Sequence, residues 1–350
     1  MIKYCKSCLM PSTRPRIKFN DEGVCNACEW KEIKKSIDWK QRQDWLKLQI
    51  PGKKVFVPYS GGKDSIYVAY KMKEMGADPT LVTVLPHMET EMGEWNRKHM
   101  CPGFPRVEIS LNDDKYRRLA RHYFVEQGRP KHPWEAAISA QVMKYLVNSE
   151  EYPALLMYGE EGEAEYGGSD YAKDKWKLPV DKKYLNEFYY CGNNTWELPS
   201  DDVYNQIFMT HWSKFENWSP SKHGNFAVVK GMRTEPIRSI GSLTTYSQLS
   251  DKLQDLHMYM AFVKFGFGRC TADVCIAIRD GWMNREEALA WVEQYDGEFP
   301  WKYLAEYLEY FDMKREEFFG VIDSHADTEI MRKDGYVWRV KEEVQEKRRL

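Results

Sequence analysis

The 350 residues lack the marks of a membrane or secreted chain. No apolar run approaches the roughly 20 residues needed to cross a bilayer. The opening Met1-Ile2-Lys3-Tyr4-Cys5 has no apolar stretch of signal-peptide type. The expected setting is the cytoplasm, away from membranes. Charge of one sign is also missing. Lys and Arg number 51 against 53 Asp and Glu, a formal net charge of −2. Nucleic-acid binders usually carry a basic excess, so a nucleic-acid partner is not expected. Basic clusters such as Arg117-Arg118 and Lys347-Arg348-Arg349 are interleaved with acids and read as solvated helix faces. There is no internal repeat and no low-complexity stretch. What is abundant is aromatic: 13 Trp and 22 Tyr, enough for a well-filled core and for stacking on a flat ligand.

The eight cysteines read as metal ligands, catalytic groups or buried small residues rather than disulfides, because cytoplasmic thiols stay reduced. Four of them form two C-x2-C pairs, Cys5/Cys8 and Cys25/Cys28, with 16 residues between the pairs. This is zinc-ribbon spacing: four soft thiolates at tetrahedral geometry suit Zn2+ and close the site to substrate. An iron–sulfur cluster and a redox pair are the alternatives. Cys101, Cys191, Cys270 and Cys275 have no such pattern. Buried inert thiols are their expected fate, with a sulfur-carrying Cys270/Cys275 pair as the active alternative.

Four segments follow from the pattern of residues: a knuckle at 1–30, a linker helix at 31–50, an α/β domain at 51–245 and a mostly helical region at 246–350. Residues 30–49 have helical spacing of apolar positions. The β-rich runs Lys54–Pro58, Thr80–Leu85, Arg106–Ile109 and Ala154–Tyr158 alternate with helical patterns at about 66–75, 91–99, 113–127 and 134–148. That alternation implies βαβ units and a parallel sheet. Gly76 should stop the first of those helices. Asn284 with Glu287 resembles a capping box opening a helix to about Tyr295. Residues 160–245 show little periodicity.

The strongest signal is Ser60-Gly61-Gly62-Lys63-Asp64-Ser65, set between a strand and a helix. Adjacent glycines let backbone come close to a ligand. Their N–H groups and the first turn of the next helix point into one space, and the helix dipole adds positive charge there. Lys63 and the Ser60 and Ser65 hydroxyls would complete an anion cradle. Asp64 would hold Mg2+ or cap the helix. The spacing is not that of a Walker A loop.

The loop resembles the pyrophosphate loop of the PP-loop ATP pyrophosphatase superfamily. The resemblance implies ATP with its outer phosphates in the cradle and attack at the α-phosphate, with adenine near the second strand around Val84 and near Gly159. Longer stretches are similar to the N-acetyl sugar amidotransferase family of lipopolysaccharide O-antigen and pseudaminic-type pathways. They are Cys5–Pro15 with Phe19, Asp21 and Gly23–Cys28; Tyr158-Gly159-Glu160 with Glu165-Tyr166-Gly167-Gly168; and Asp255-Leu256-His257, Lys264–Arg269, Ile278-Arg279 and Arg285-Glu286-Glu287. That likeness implies conversion of a sugar acetamido group to an acetamidino group: AMP is transferred to the amide oxygen, then ammonia displaces it. The substrate would be an acetamido sugar, with a nucleotide-linked form as an option. The expected cofactors are ATP, Mg2+ and Zn2+.

Glu160, Glu161, Glu163 and Glu165 follow a strand end, where ligands collect in open α/β sheets, so Glu160 and Glu165 join Lys63 and Asp64 as catalytic candidates. His257, Lys264, Arg269 and Arg279 are candidates for substrate binding. Ile2 at the second position, Cys5 in the knuckle and the lack of a G-x-C-x-G elbow argue against a built-in glutaminase. A separate glutaminase subunit supplying ammonia is expected, with a barrel-type companion as an option. The alternative reading is a tRNA thiolation enzyme of the PP-loop class, which would need an active cysteine pair or an iron–sulfur cluster, and a basic RNA surface.

Overall fold

The computed structural model describes residues 2–159, 162–167, 175–183, 185 and 199–349. Helix α1 (Asn26–Lys34) follows the cysteine knuckle, and α2 (Trp39–Leu48) leads to the sheet. The single linker helix expected over 30–49 is therefore two. The Asp38 carboxylate accepts the Gln41 N–H at 2.9 Å, and that N-cap starts a second helix.

Five strands follow: β1 (Lys54–Pro58), β2 (Thr80–Val84), β3 (Arg106–Ile109), β4 (Ala154–Tyr158) and β5 (Ile207–His211). All are parallel, in the order β3-β2-β1-β4-β5. The helices between them are α3 (Lys63–Glu74), α4 (Glu91–His99), α5 (Asp113–Gln127), α6 (His132–Asn148), α7 (Gly162–Glu165) and α8 (Asp201–Tyr204). The chain runs outward from β1 to β3 and then returns to the other side of β1. Ligands in such sheets bind beyond the strand ends at this switch point, here between β1 and β4.

Alternate residues of β1 serve opposite faces, as pleating requires. Val55 and Val57 pack with Ile66, Tyr67, Val68 and Met72 of α3. Phe56 packs on the other face with Val82, Val84, Leu156 and α6 residues Met143 and Leu146. Helix α3 ends at Glu74, and Gly76 takes φ +91°, as the breaker reading requires.

Beyond β5 lie α9 (Pro220–Val229), α10 (Lys252–Phe265), α11 (Arg269–Asp280), α12 (Arg285–Tyr295), α13 (Leu304–Phe311), α14 (Arg315–Ser324) and α15 (Glu342–Arg349). The capping box at α12 is present, with both Asn284 and Glu287 bonds at 2.9 Å. A two-stranded antiparallel ribbon, β6 (Met331–Asp334) and β7 (Val337–Val340), interrupts the helices; Gly335, φ +62°, makes its turn. Helices α10, α13 and α14 and the ribbon share a core with Phe124 of α5, which joins the C-terminal region to the α/β domain. The cysteine knuckle packs on α11 and α12. Among the described residues no helix is long and apolar enough to cross a membrane.

Candidate active site

The loop after β1 is drawn tight against α4. Gly61 has φ +74°, and a Cβ there would lie 2.5 Å from the Arg97 backbone nitrogen. Gly62 is the N-cap of α3, where a Cβ would meet only the Ser60 hydroxyl, at 3.2 Å. So the two glycines differ: the first is needed for packing of the loop, the second keeps the mouth of the cradle open. Ser65 donates its hydroxyl to the Gly62 carbonyl at 3.0 Å, and the Gly62 N–H reaches Ser60 Oγ at 3.3 Å.

Asp64 lies at the heart of the loop. Its Oδ1 accepts from Trp218 Nε1 at 3.0 Å and from His223 Nδ1 at 2.7 Å, and its Oδ2 pairs with the Lys63 ammonium. Burial pushes the carboxyl up, but the Lys63 and His223 charges and bonds outweigh it, so the group is held well below the usual carboxylate range. Gly159, directly after β4, leaves the space this needs: a Cβ there would be 2.9 Å from Asp64 Cβ. His223 is fully buried and stacks on Tyr67 at 3.9 Å, while Tyr67 donates to Glu216 at 3.0 Å. Trp218 and His223 were not singled out by sequence reasoning. They lie some 150 residues from the loop in sequence, in a stretch without helical or strand period, and the aromatic–polar run Trp218-Ser219-Pro220-Ser221-Lys222-His223 was the one available hint.

The loop opens into a cleft of about 740 Å³. Ser60 to Ser65, Val84 and Gly159 line one side, and Tyr246, Ser247, Gln248, His257 and Arg269 the other. Val84 carries a prior commitment: its carbonyl accepts the Trp134 indole N–H at 3.2 Å. Asp64 and Glu135 are the acidic residues among the described lining. Burial pushes Glu135 up, but His257 and Lys131 prevail and keep it ionised. Burial lowers His257 below the usual imidazole range, and its Nδ1 has no hydrogen-bond partner. When the ring is neutral, that nitrogen can accept a proton. Lys131, itself buried, is anchored by Asp251 at 2.8 Å and Gln254 at 2.5 Å. Arg269 pairs with Asp273 at 2.9 Å and reaches Ser247 Oγ at 3.3 Å. His211, at the end of β5, is held near 3 by burial and has an unpartnered Nδ1. Gln248 takes φ +57° in this wall, a costly conformation for a residue with a side chain.

Other expected site residues lie elsewhere. Glu165, anticipated as a catalytic carboxylate, is buried in an ion pair with Lys34 at 2.7 Å and accepts the Trp30 indole N–H at 3.0 Å. It joins α7 to α1 and does not line the cleft. Arg279, anticipated at the substrate, donates to the Glu165 carbonyl at 3.1 Å and lies 4.0 Å from Cys8 Sγ. Lys264 caps the end of α5 through the Gln127 carbonyl at 2.7 Å. In each case a partner from a distant element satisfies the charge away from the cleft. Glu160, Glu161 and Cys191 fall outside the described residues.

The knuckle brings Cys5, Cys8, Cys25 and Cys28 together, all buried, with their sulfurs within 4.8 Å of one another. The separations are 3.9 Å for Cys5–Cys28, 3.8 Å for Cys8–Cys25 and 3.6 Å for Cys25–Cys28. Zn–S bonds of about 2.3 Å at tetrahedral angles demand sulfurs about 3.8 Å apart. The set fits one ion, while a polynuclear cluster would hold the sulfurs further apart. The Cys8 and Cys25 backbone N–H groups point at Cys5 Sγ at 3.5 and 3.2 Å, as second-shell donors to a thiolate do. Cys275 Sγ accepts the Leu9 N–H at 3.4 Å, and Cys270 donates to the Trp291 carbonyl at 3.5 Å. Cys101 is buried, and burial pushes its thiol up to about 11. No described cysteine lines the cleft.

Residues 240–345 match the family described as "LPS biosynthesis protein WbpG-like, C-terminal domain". The expected resemblance to a lipopolysaccharide-pathway family thus holds over that segment, which contains the far wall of the cleft from Tyr246 to Arg269. The curated proteins give no match. Among solved structures, the chain is similar to the predicted subunit of a tRNA methyltransferase from Methanocaldococcus jannaschii at 19% identity, covering 50% of this chain and 76% of that one, TM-score 0.31. NMN synthetase from Francisella tularensis aligns at 12% identity over 73% and 90%, TM-score 0.39. The NH3-dependent NAD synthetase from Campylobacter jejuni aligns at 13% over 57% and 99%, TM-score 0.28. Likeness at this level says nothing of activity.

Proposed function

We propose that this chain is an ATP-dependent amidotransferase that converts a sugar acetamido group to an acetamidino group. The observation that carries the reading is that one cleft joins the Ser60–Ser65 anion cradle to a wall built from the segment that matches the lipopolysaccharide-biosynthesis domain.

An amide carbonyl is a poor electrophile with a poor leaving group. In the proposed reaction its oxygen attacks the α-phosphorus of ATP and pyrophosphate leaves. Ammonia then adds to the imidate carbon, a proton is lost, and the C–O bond breaks to release AMP and the amidine. The loop N–H groups, Ser60 and Ser65 hold the outer phosphates. Lys63 turns from Asp64 to the leaving pyrophosphate, and Asp64 Oδ2 then becomes available to Mg2+, which neutralises phosphate charge when bound. His223 and Trp218 keep that carboxylate aimed. His257 and Glu135 line the cleft, and one of the two receives the proton from ammonia. Val84 and Gly159 border the adenine. The four-cysteine knuckle holds Zn2+ as a structural ion.

Ammonia comes from a separate glutaminase subunit in this reading, and ammonium salts replace it in vitro. Against the thiolation alternative, the Cys270/Cys275 pair it would use is turned into the knuckle core. The test is mass spectrometry of acetamido sugars incubated with the chain, ATP, Mg2+ and ammonium. Exchange of O for NH with AMP release is expected; release of ADP in place of AMP would overturn the chemistry.

A further inference from the structure

We infer that Cys28 is a peroxide-reactive ligand of the metal knuckle: it is oxidised first of the four, closes a disulfide with Cys25, and so frees both the ion and the short helix α7 beside the cleft.

The four sulfurs are not equivalent. Cys5 Sγ accepts two backbone N–H groups, from Cys8 at 3.5 Å and from Cys25 at 3.2 Å, and the Arg279 guanidinium stands 4.0 Å from Cys8 Sγ. Such donors draw electron density from a thiolate and blunt it as a nucleophile. Among the described residues, the hydrogen-bonding neighbours of Cys25 Sγ and Cys28 Sγ are other sulfurs. Access then separates these two. Cys25 is wholly buried, whereas Cys28 keeps 7% of its surface. Cys28 is also the one described cysteine on the wall of a second groove, of about 670 Å³, with Ser7, Val24 and Glu29 beside it. A small uncharged oxidant such as hydrogen peroxide fits that approach.

The Cys28 thiolate attacks one peroxide oxygen; an S–O bond forms as the O–O bond breaks, and hydroxide leaves. Cys25 Sγ lies 3.6 Å away and Cys5 Sγ 3.9 Å. The nearer thiolate, Cys25, attacks the Cys28 sulfur; an S–S bond forms, the S–O bond breaks and a second hydroxide leaves. Two electrons pass from the pair to one peroxide. Cys5 and Cys8 alone cannot complete a tetrahedral ligand set.

Cys28 belongs to α1, and α1 holds α7. Trp30 Nε1 and the Lys34 ammonium donate to the Glu165 carboxylate at 3.0 and 2.7 Å. Gly167, φ +85°, brings the chain so near that a Cβ there would lie 3.2 Å from Ala27 Cβ and from Asn26 Oδ1. Arg279, beside Cys8, donates to the Glu165 carbonyl at 3.1 Å. A helix of four residues has no stability of its own, so the cleft-lining Gly162 keeps its place through α1 and α11.

The full zinc-loaded chain, treated with hydrogen peroxide, provides the test. Dimedone traps sulfenic acids for peptide mass mapping, and a chromogenic chelator follows zinc in a parallel sample without dimedone. The first trapped knuckle residue is expected to be Cys28. The fraction of chains with a Cys25–Cys28 disulfide should equal the fraction of zinc released. Amide exchange over 162–167 should quicken in step, and a thiol reductant with added zinc should reverse both. Cys28→His retains a ligand type that zinc accepts, so that protein should keep its ion at a peroxide dose that empties the wild type. A first adduct on Cys5, Cys8 or Cys25, zinc loss without the disulfide, or a Cys28→His protein as sensitive as the wild type would each overturn the assignment. Unchanged exchange over 162–167 in the oxidised, zinc-free protein would overturn the hold on α7. Should Cys28→His load no zinc, the wild-type adduct map decides alone.

Discussion

Exchanging Gly61 and Gly62 for alanine, one at a time, should give opposite results although the two are neighbours. At Gly61 the new Cβ would sit 2.5 Å from the Arg97 nitrogen, 2.7 Å from its Cα and 2.9 Å from the Asn96 carbonyl carbon. All three are backbone atoms of α4, and Arg97 is itself fixed by Glu89 at 2.7 Å and by Glu108. The helix cannot yield by turning a side chain. Left-handed backbone costs a residue with a Cβ about 1–2 kcal/mol, and forcing an extra carbon into packed structure costs about 1–3 more. The sum for Gly61→Ala is about 2–5 kcal/mol. With an unfolding entropy of about 2.1 cal/mol/K per residue over the whole chain, each kcal/mol moves the melting temperature by about 1.4 °C, so a fall of about 3–7 °C is expected. At Gly62 the only neighbour is the Ser60 hydroxyl, which can rotate, and φ is −86°. Stability should drop by less than about 1 kcal/mol, the difference between glycine and alanine at an N-cap.

Differential scanning calorimetry separates the two, and ATP titration of each protein completes the test. Gly62→Ala should melt near the wild type yet bind ATP poorly, because its methyl group stands where phosphate meets backbone N–H. If Gly61→Ala melts within about 1 °C of the wild type, the loop is not pressed on α4 as described and the argument from contact distances fails.

Other outcomes follow from the same geometry. Glu165→Gln leaves Lys34 buried and unpaired, and loss of one partner of a buried ion pair costs about 3–5 kcal/mol, so the protein should melt about 4–7 °C lower while still binding ATP; normal stability with lost turnover would restore Glu165 to a catalytic role. Asp64 is held below its ordinary value of 3.8, so its stabilisation is present above that pH and fades as pH falls through the lowered native value; Asp64→Asn should flatten this acid limb of the stability–pH curve. Asp255 goes the other way. Burial first, and Asp251 second, push it up to about 8, so the native state holds a proton that the unfolded chain has lost. Its contribution is complete below about 3.8 and is lost as pH rises towards 8, and Asp255→Asn should remove that decline in calorimetric scans between pH 5 and 8.

Much of the α/β half is legible in the sequence because its signals are local. Runs such as Val55-Phe56-Val57 and Leu81-Val82 form strands since both faces are covered by helices, and an unbroken apolar run then needs no alternation. The Cys5/Cys8 and Cys25/Cys28 spacings read as a metal site because each pair brings its own two ligands together. What stays hidden depends on partners distant in the chain. β5 has only five residues, Ile207–His211, and its polar Thr210 and His211 disguise it. Glu165 looks like a site carboxylate from its place after β4, and only the meeting with Lys34 and Trp30 of α1 shows where it points. The β6–β7 ribbon was obscured by Arg332, Lys333 and Arg339, whose exposed side chains read as helix surface.

The division between loop and wall bears on how such a cleft can change substrate without changing chemistry. The parts that engage phosphate depend on one another. Asp64 needs His223, Trp218 and the space left by Gly159, and Gly61 needs the backbone of α4. A substitution in one of them disturbs the rest, so this side is held to a single arrangement by packing. The acceptor wall is built differently. Lys131 answers to Asp251 and Arg269 to Asp273, each through a separate contact on a separate element. Residues without shared partners vary nearly independently in their energetic effects. The acceptor side can therefore accumulate changes one residue at a time while the phosphate side keeps its geometry. Exchanges confined to His257 or Gln254 should thus alter which sugar is accepted before they alter the affinity for ATP. Exchanges at His223 or Gly159 should do the reverse, although neither group touches the outer phosphates directly in the proposed reaction.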